Sequence, residues 1–172
     1  MKYKFKFKFT NTTGEVYVPN GYLGHLKMFV GDEQAVQQGY WTGLNGEHKI
    51  SFNFKVQDKI YQVIVETLTY WSGLQPPRAI FEGNGHSNWM SGTSDPEQVW
   101  ISVETDMPVT RFEFPNRGES GYGPLYNNKL LLTEETTNTI IFDGNTPALQ
   151  TISVEVPMRL YYHNKNTFIS FK

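Results

Sequence analysis

The sequence predicts an all-β fold, an antiparallel β-sandwich of the jelly-roll type that forms a single domain over residues 1–172. Many short segments alternate apolar and polar residues, and turn-forming residues separate them, which is typical of half-buried strands. No helical periodicity extends beyond two turns. With 172 residues and no cysteine, the chain is long enough to bury a core without disulfides.

The first predicted strand, residues 2–9, carries lysines on one face and aromatic rings on the other. The lysines are Lys2, Lys4, Lys6 and Lys8, and the rings are Tyr3, Phe5, Phe7 and Phe9. This period of two predicts a strand that buries its rings and exposes its charges. We interpret the lysines as a solvated face that also protects a sheet edge from aggregation, with an anionic-ligand patch as the alternative.

Residues 49–69 predict a β-hairpin, because two alternating segments flank the polar pair Gln57-Asp58. A two-stranded hairpin alone is marginally stable in water, so its apolar side chains need a second surface. That surface is either the domain's own sheet or a neighbouring chain, and we predict contact with a partner chain. The residues predicted at that contact are Phe52, Phe54, Tyr61 and Val63.

Alternation and intervening turn residues predict further strands. These cover residues 98–104, 109–114, 126–133, 138–142, 149–155, 158–162 and 168–171. Asn45-Gly46 and Asp143-Gly144-Asn145 contain residues that tolerate positive φ, so each pattern predicts a turn.

The composition narrows the classes of partner. A net charge of −2 provides no basic footprint for duplex nucleic acid, so no nucleic-acid partner is predicted. No apolar run approaches the roughly 20 residues of a membrane-spanning helix, and the first residues lack the pattern of a signal peptide. The absence of cysteine excludes a thiol nucleophile and favours folding in a reducing cytoplasm.

The sequence offers no convincing catalytic constellation. Ser120 lacks the second glycine of a nucleophile elbow, because Tyr122 stands at that position. Glu134 and Glu135 are adjacent on a predicted strand end and point to opposite faces, which prevents a convergent acid–base pair. The four histidines, which lack metal-binding spacing, are His25, His48, His86 and His163. We therefore predict no catalytic residue, no metal site and no enzyme.

The segment from residue 78 to residue 117 joins a loop, a tryptophan and two strands in a specific order. With the strand that follows, the matching positions are Ala79, Gly83, Trp89 and residues 100–103, 109–117 and 126–133. This order resembles the discoidin, or coagulation-factor type C, domain of the galactose-binding-like superfamily. The resemblance implies a galactose-binding-like sandwich.

The front of the chain extends this resemblance to bacteriophage members of the group. KYKFKFKFTNTTG followed by LGHLKMFVG has the rhythm of their first two strands. Residues of about 35–70 have no counterpart, so we interpret them as an inserted hairpin. Family positions that help hold a structural calcium are occupied here by Glu82, which follows Phe81, and by His25. No cofactor is predicted, and a structural calcium stays the alternative.

The resemblance also implies a ligand site on loops at one end of the sandwich. An aromatic ring covers the apolar face of a sugar, and Asn, Arg or His binds its hydroxyls. The candidate ligand-binding residues are His86, Asn88, Trp89, Arg117, Tyr122, Asn127 and Asn128. The alternatives are structural: Trp89 as a core plug, Arg117 as a brace that pairs with a carboxylate, and the asparagines as turn residues.

These observations together favour a non-enzymatic virion protein of a bacteriophage, made in the host cytoplasm. Capsid decoration, fibre and tail component are the roles considered. Its predicted partners are other virion chains, in a homo-oligomer or multi-copy assembly, and a host-surface glycan. The alternative is a free-standing bacterial carbohydrate-binding lectin that is secreted or held at the cell surface.

Overall fold

Two antiparallel sheets form most of the described chain. The computed structural model describes residues 1–11, 21–73, 75–82, 89–93, 95, 97–116, 128–147 and 150–162. Within them the larger sheet has seven strands and the smaller has four, and two further short strands pair with each other. Every pairing between these strands is antiparallel. The predicted all-β, antiparallel class is confirmed.

The strands follow one another along the chain with little helix between them. In order they are β1 (Tyr3–Asn11), β2 (Tyr22–Leu23), β3 (Lys27–Val30), β4 (Glu33–Gln34), β5 (Val36–Asn45), β6 (Lys49–Val56), β7 (Lys59–Thr67), β8 (Trp89–Met90), β9 (Trp100–Thr105), β10 (Arg111–Asn116), β11 (Asn128–Glu134), β12 (Thr139–Thr146) and β13 (Gln150–Glu155). A 3₁₀ helix spans Pro77–Phe81, and one α-helical turn, α1, spans Arg159–Tyr162. The large sheet has the order β12-β11-β1-β9-β7-β6-β5, and the small sheet has the order β13-β10-β3-β4.

Aromatic rings join the two sheets. Phe5 and Phe7 of β1 each make an edge-on contact with Phe112 of β10, with ring centroids 5.1 and 5.2 Å apart. Phe7 also meets Phe114 edge-on at 6.4 Å. All four rings are buried. The core therefore lies between the inner faces of the sheets, with the alternating rings of β1 at its centre.

The strand β1 is central, so the prediction that its lysines protect a sheet edge is wrong. It pairs with β11 on one side and with β9 on the other. Its lysines do form a solvated face, and three of them pair with carboxylates at 3.7–3.8 Å, namely Lys4 with Glu66, Lys6 with Glu135 and Lys8 with Glu97. These neighbouring carboxylates offset the positive charge that an anionic-ligand patch would need.

The hairpin at residues 49–69 is confirmed, whereas its predicted partner contact is wrong for three of the four residues. Gln57 and Asp58 both have positive φ and join β6 to β7. The strand β7 pairs with β9, so the hairpin continues the main sheet. This places Phe52, Phe54 and Val63 in the domain's own core, and Tyr61 packs partly buried against the same core.

Two later elements also differ from expectation. Residues 143–145 lie inside β12 because they pair along β11, from Leu131 opposite Asp143 to Lys129 opposite Asn145, and this pairing overrides their turn tendency. Residues 159–162 form the helical turn α1, since a short apolar run is compatible with helix or strand and Pro157 begins the turn. The turn at Asn45-Gly46 is confirmed, with Gly46 at φ +57°. The strand predicted at 168–171 lies outside the described residues.

We expect Phe112→Ala to lower the free energy of unfolding by about 3–5 kcal/mol, because it opens a cavity where the two sheets meet. Urea denaturation followed by tryptophan fluorescence measures the loss. Ile140→Ala, on the exposed edge strand β12, is the control and should change stability by no more than about 0.5 kcal/mol. Equal effects of the two substitutions would contradict the central role of Phe112.

Candidate functional site

Most of the sequence-predicted ligand residues lie outside the described part of the chain. These residues are His86, Asn88, Arg117, Tyr122 and Asn127, and the side chain of Asn128, whose backbone begins β11, belongs with them. Their role stays a prediction. The site described below is built from other residues.

The exception is Trp89, and its predicted contact with a ligand is wrong. The side chain is fully buried, its ring lies 6.1 Å from that of Phe9, and its Nε1–H donates to the carbonyl of Thr69 at 3.2 Å. Gly21 lies so close that a Cβ there would stand 2.8 Å from the indole and 2.7 Å from Val99. No face of the ring is open to a sugar, so the alternative of a core plug is confirmed.

The two positions that the family resemblance associates with calcium are neighbours in space. The backbone N–H of His25 donates to the carbonyl of Glu82, and the N–H of Leu26 donates to Ile80 at 2.8 Å. An imidazole and a single carboxylate do not provide the six to eight oxygen ligands that Ca²⁺ takes. Within the described residues no group of three or more His, Asp or Glu side chains converges. The side chains of His25 and Glu82 therefore do not form a calcium site by themselves.

An exposed aromatic stack on the edge strand β5 is the most distinctive surface feature. Tyr40 is 78% exposed and stacks on Trp41, with ring centroids 5.2 Å apart and an interplanar angle of 28°. The guanidinium of Arg78, from the 3₁₀ helix, lies over the Trp41 ring at 5.6 Å. Its Nε donates to the carboxylate of Glu47 at 2.9 Å. We call these four residues the edge aromatic cluster.

Irregular pairing of β5 creates this cluster. The register against β6 shifts between Gln38 and Thr42 and again between Gly43 and Asn45, and Gly39 has φ +70°. Such bulges re-aim side chains and bend the strand. In a regular strand Tyr40 and Trp41 would point to opposite faces, whereas here their rings stack. The bulges also make β5 a poor template for pairing with another strand.

A shallow cleft of about 190 Å³ lies beside the cluster, between β4 of the small sheet and β5 of the large one. Phe54 and Phe81 contribute its apolar surface. The polar side chains that line it are His25, Lys27, Gln34 and Gln37. Phe81 and Arg78 belong to the same 3₁₀ helix, so one short element borders both the cleft and the aromatic cluster.

A second groove, of about 440 Å³, lies beside α1 and is mainly apolar. Its walls include Val30, Pro108 and Met158. The polar groups that line it are engaged in the fold: Tyr161 donates its hydroxyl to the carbonyl of Val109 at 2.5 Å, and Thr110 Oγ1 accepts the N–H of Gly31 at 2.9 Å. Burial raises the pKa of the Tyr161 hydroxyl, so it stays protonated. This groove offers apolar contact without polar groups to orient a ligand.

Glu134 is buried for a structural reason. Burial alone raises the pKa of its carboxyl, but hydrogen bonds from the Thr137 and Thr136 hydroxyls, and from the backbone N–H groups of Lys4 and Thr136, outweigh burial and lower it. The carboxylate thereby closes the turn between β11 and β12 and ties it to β1. Glu135 is exposed and pairs with Lys6, so the prediction that the two glutamates point apart is confirmed.

The edge aromatic cluster was not among the residues predicted from the sequence, although the sequence contains a signal for it. In QQGYWTG two adjacent large rings stand among polar residues and glycines, in a segment without the alternation of a buried strand. Adjacent aromatic residues between glycines indicate a bulged, exposed strand. The pairing with Arg78 could not be seen, because Arg78 is distant in sequence and reaches Trp41 only through the folded chain.

Comparison of the chain with protein-family models, with curated proteins and with solved structures finds no match. Among the described residues, no helix has the length and apolar character needed to cross a membrane.

We expect Glu134→Gln to destabilise the protein at pH 7 and to do so less in acid. Because folding lowers the pKa of this carboxyl, its stabilising effect is present above the unfolded value of about 4.5 and is lost as the pH falls through the lower folded value. Urea midpoints of wild type and variant between pH 7 and pH 2.5 measure this convergence. Glu135→Gln is the control on an exposed neighbour, and a pH-independent gap for Glu134→Gln would contradict the argument.

Proposed function

We propose that the chain is a non-enzymatic adhesion module that binds glycan through the edge aromatic cluster and the adjoining cleft. The observation that carries the proposal is the exposed Tyr40 ring, supported from beneath by Trp41. Two adjacent stacked rings on an exposed sheet edge form a contiguous aromatic patch, and such patches often mark binding surfaces. Tyrosine and tryptophan supply rigid, amphipathic contact area at low entropic cost.

The surroundings of the stack suit a sugar. Arg78 is held over the face of the Trp41 ring by Glu47, so its remaining N–H donors and the carboxylate are fixed beside the aromatic stack. Hydroxyl groups need donors and acceptors in fixed directions, and this ion pair supplies both. The Gln34 and Gln37 amides in the cleft add groups of the same kind. The cleft is too small to enclose a drug-sized molecule, which favours a ligand that lies along an open surface.

The finer fold assignment is part of the proposal: a jelly-roll sandwich of the galactose-binding-like kind. It is supported by two packed antiparallel sheets between which the chain crosses repeatedly, with β9 and β11 in the large sheet and β10 in the small one. The order of loop, tryptophan and strands in residues 78–117 supports it from the sequence side. Fold alone does not determine function, so the site carries the functional argument.

We further propose that the module is a virion component present in many copies. The resemblance of the first strands to phage proteins and the absence of cysteine support this role. Exposed apolar side chains away from the cleft, at Ile60, Ile140 and Met158, provide contact area for neighbouring chains. The second candidate is a free-standing lectin, which would use the same cluster and bind sugar as an isolated monomer.

Multiple copies also fit the strength expected of the site. An open surface with one stacking ring and a few hydrogen bonds reaches a Kd of about 1 mM, or roughly −4 kcal/mol. An array of copies raises the effective affinity by on the order of 10² to 10⁴ without any new contact. A virion component would therefore adhere through many weak sites.

We expect Tyr40→Ala to weaken binding to an immobilised glycan about tenfold or more, because the sugar loses its stacking surface. A glycan array identifies the ligand, and NMR titration of the isolated chain measures the single-site affinity. The melting temperature should stay within about 2 °C of wild type, since the ring is exposed. Ile140→Ala, on the opposite edge of the same sheet, is the matched control.

Arg117→Ala separates this site from the loop site predicted by the family resemblance. Binding that survives Arg117→Ala but not Tyr40→Ala supports the edge aromatic cluster. The reverse result would contradict the proposed site and favour the loops. Wild-type chain that binds no member of a broad glycan array, even when displayed in many copies, would contradict glycan adhesion itself.

A further inference from the structure

We propose that the ligand is an acidic oligosaccharide, with a sugar carboxylate bound by Lys27 in the cleft and a neighbouring sugar stacked on Tyr40. This inference rests on the proposed function and names the ligand class of the same site. It depends on three features of the described residues: a cation at the cleft without an ion pair, the separation along β5 between the cleft and the aromatic stack, and the positions of the surrounding carboxylates.

Lys27 is a cation at the cleft that forms no ion pair within the described part of the chain. In this respect it differs from Lys4, Lys6 and Lys8 on the large sheet. The carboxylate of its cross-strand neighbour Glu113 lies 3.4 Å from Nε of Arg111, and Glu113 lines a neighbouring pocket together with His25 and Lys27. Glu113 therefore stands opposite Lys27 without forming an ion pair with it.

The other charges around the cleft are engaged or complementary. Glu33, on β4, accepts the backbone N–H of Gln57 at 2.9 Å, and Glu47 pairs with Arg78. No carboxylate side chain lines the cleft, whereas His25 stands beside Lys27 as a second nitrogen donor. A bound anion would therefore meet hydrogen-bond donors in the cleft itself, with Glu113 as a competing acid group on the adjoining strand. This charge pattern favours a carboxylate-bearing sugar over a neutral one.

The distance between the two contacts sets the ligand's length. Ala35 donates its N–H to Met28, so Lys27 lies across from Val36 at the start of β5. Tyr40 stands four residues further along β5, so the Cα atoms of Val36 and Tyr40 are at most about 13 Å apart, the value for an extended strand. A ligand that makes both contacts would have to span a separation of this order. The geometry points to an oligosaccharide that follows β5 from the cleft to the stack.

Matched pairs of neutral and acidic tetrasaccharides test the inference. Each pair has the same linkages and differs in oxidation at C6, as cellotetraose differs from its glucuronic acid counterpart, and several linkage types are arrayed before titration. We expect wild-type chain to prefer the acidic member of a recognised pair about tenfold, because a hydrogen bond to a charged group is stronger than one between neutral groups. The preference should shrink between 50 and 200 mM NaCl.

Variants locate the charge contact. Lys27→Gln should abolish the preference while it leaves the affinity for the neutral member within about twofold, and Lys27→Arg should retain the preference. Lys129→Gln removes an exposed lysine on β11, toward the edge of the large sheet opposite β5, and is the control. Tyr40→Ala should weaken both members, since stacking does not depend on the carboxylate.

The outcomes separate the two proposals. Equal affinity of the wild type for both members of a bound pair would overturn the acidic-ligand inference and leave glycan binding intact. A preference that survives Lys27→Gln would overturn the assignment to Lys27. Failure to bind any pair would contradict the proposed function, and stronger binding to a thymidine oligonucleotide would replace the sugar by single-stranded nucleic acid.

Discussion

The rest of this structure depends on the insertion of the Phe112 ring between Phe5 and Phe7. These contacts couple the central strand of the large sheet to the small sheet, and they are edge-on contacts between buried rings. The strand β1 also pairs with a neighbour on each side, and the large sheet extends outward from it in both directions. The hairpin of β6 and β7 is one of these extensions, which is why its rings belong to the core.

The candidate site lies at the edge of the large sheet, away from this central packing. At the outer strand β5 only one neighbour remains, and the bulges at Gly39 and Gly43 release two rings from strict alternation. The 3₁₀ helix then brings Arg78 to one ring and Phe81 to the core, so the same five residues support the fold and border the surface. A binding surface on such an edge can change its side chains without disturbing the centre of the sandwich.

The charged side chains of the fold are satisfied in different ways. The outer face of the large sheet offsets its lysines with carboxylates, and the exposed pairs each contribute little to stability. Glu134 is the opposite case, a buried carboxylate satisfied by hydroxyl and backbone donors that closes a turn. Lys27 belongs to neither group, since it lines a cleft and forms no ion pair with Glu113 opposite it. The proposed ligand contact rests on this difference.

The sequence by itself determined the elements whose local pattern agrees with their burial: the alternating β1, the hairpin with its turn at Gln57-Asp58, and the all-β class. Those follow from periodicity and turn chemistry, which are local properties. Only the tertiary structure decided that β1 is central, that Trp89 is a core plug, and that residues 143–145 continue a strand, because each depends on a neighbour distant in sequence. The edge aromatic cluster was likewise decided by the tertiary structure. Its two aromatic residues are adjacent in the sequence, but Arg78 contacts Trp41 only in the folded chain.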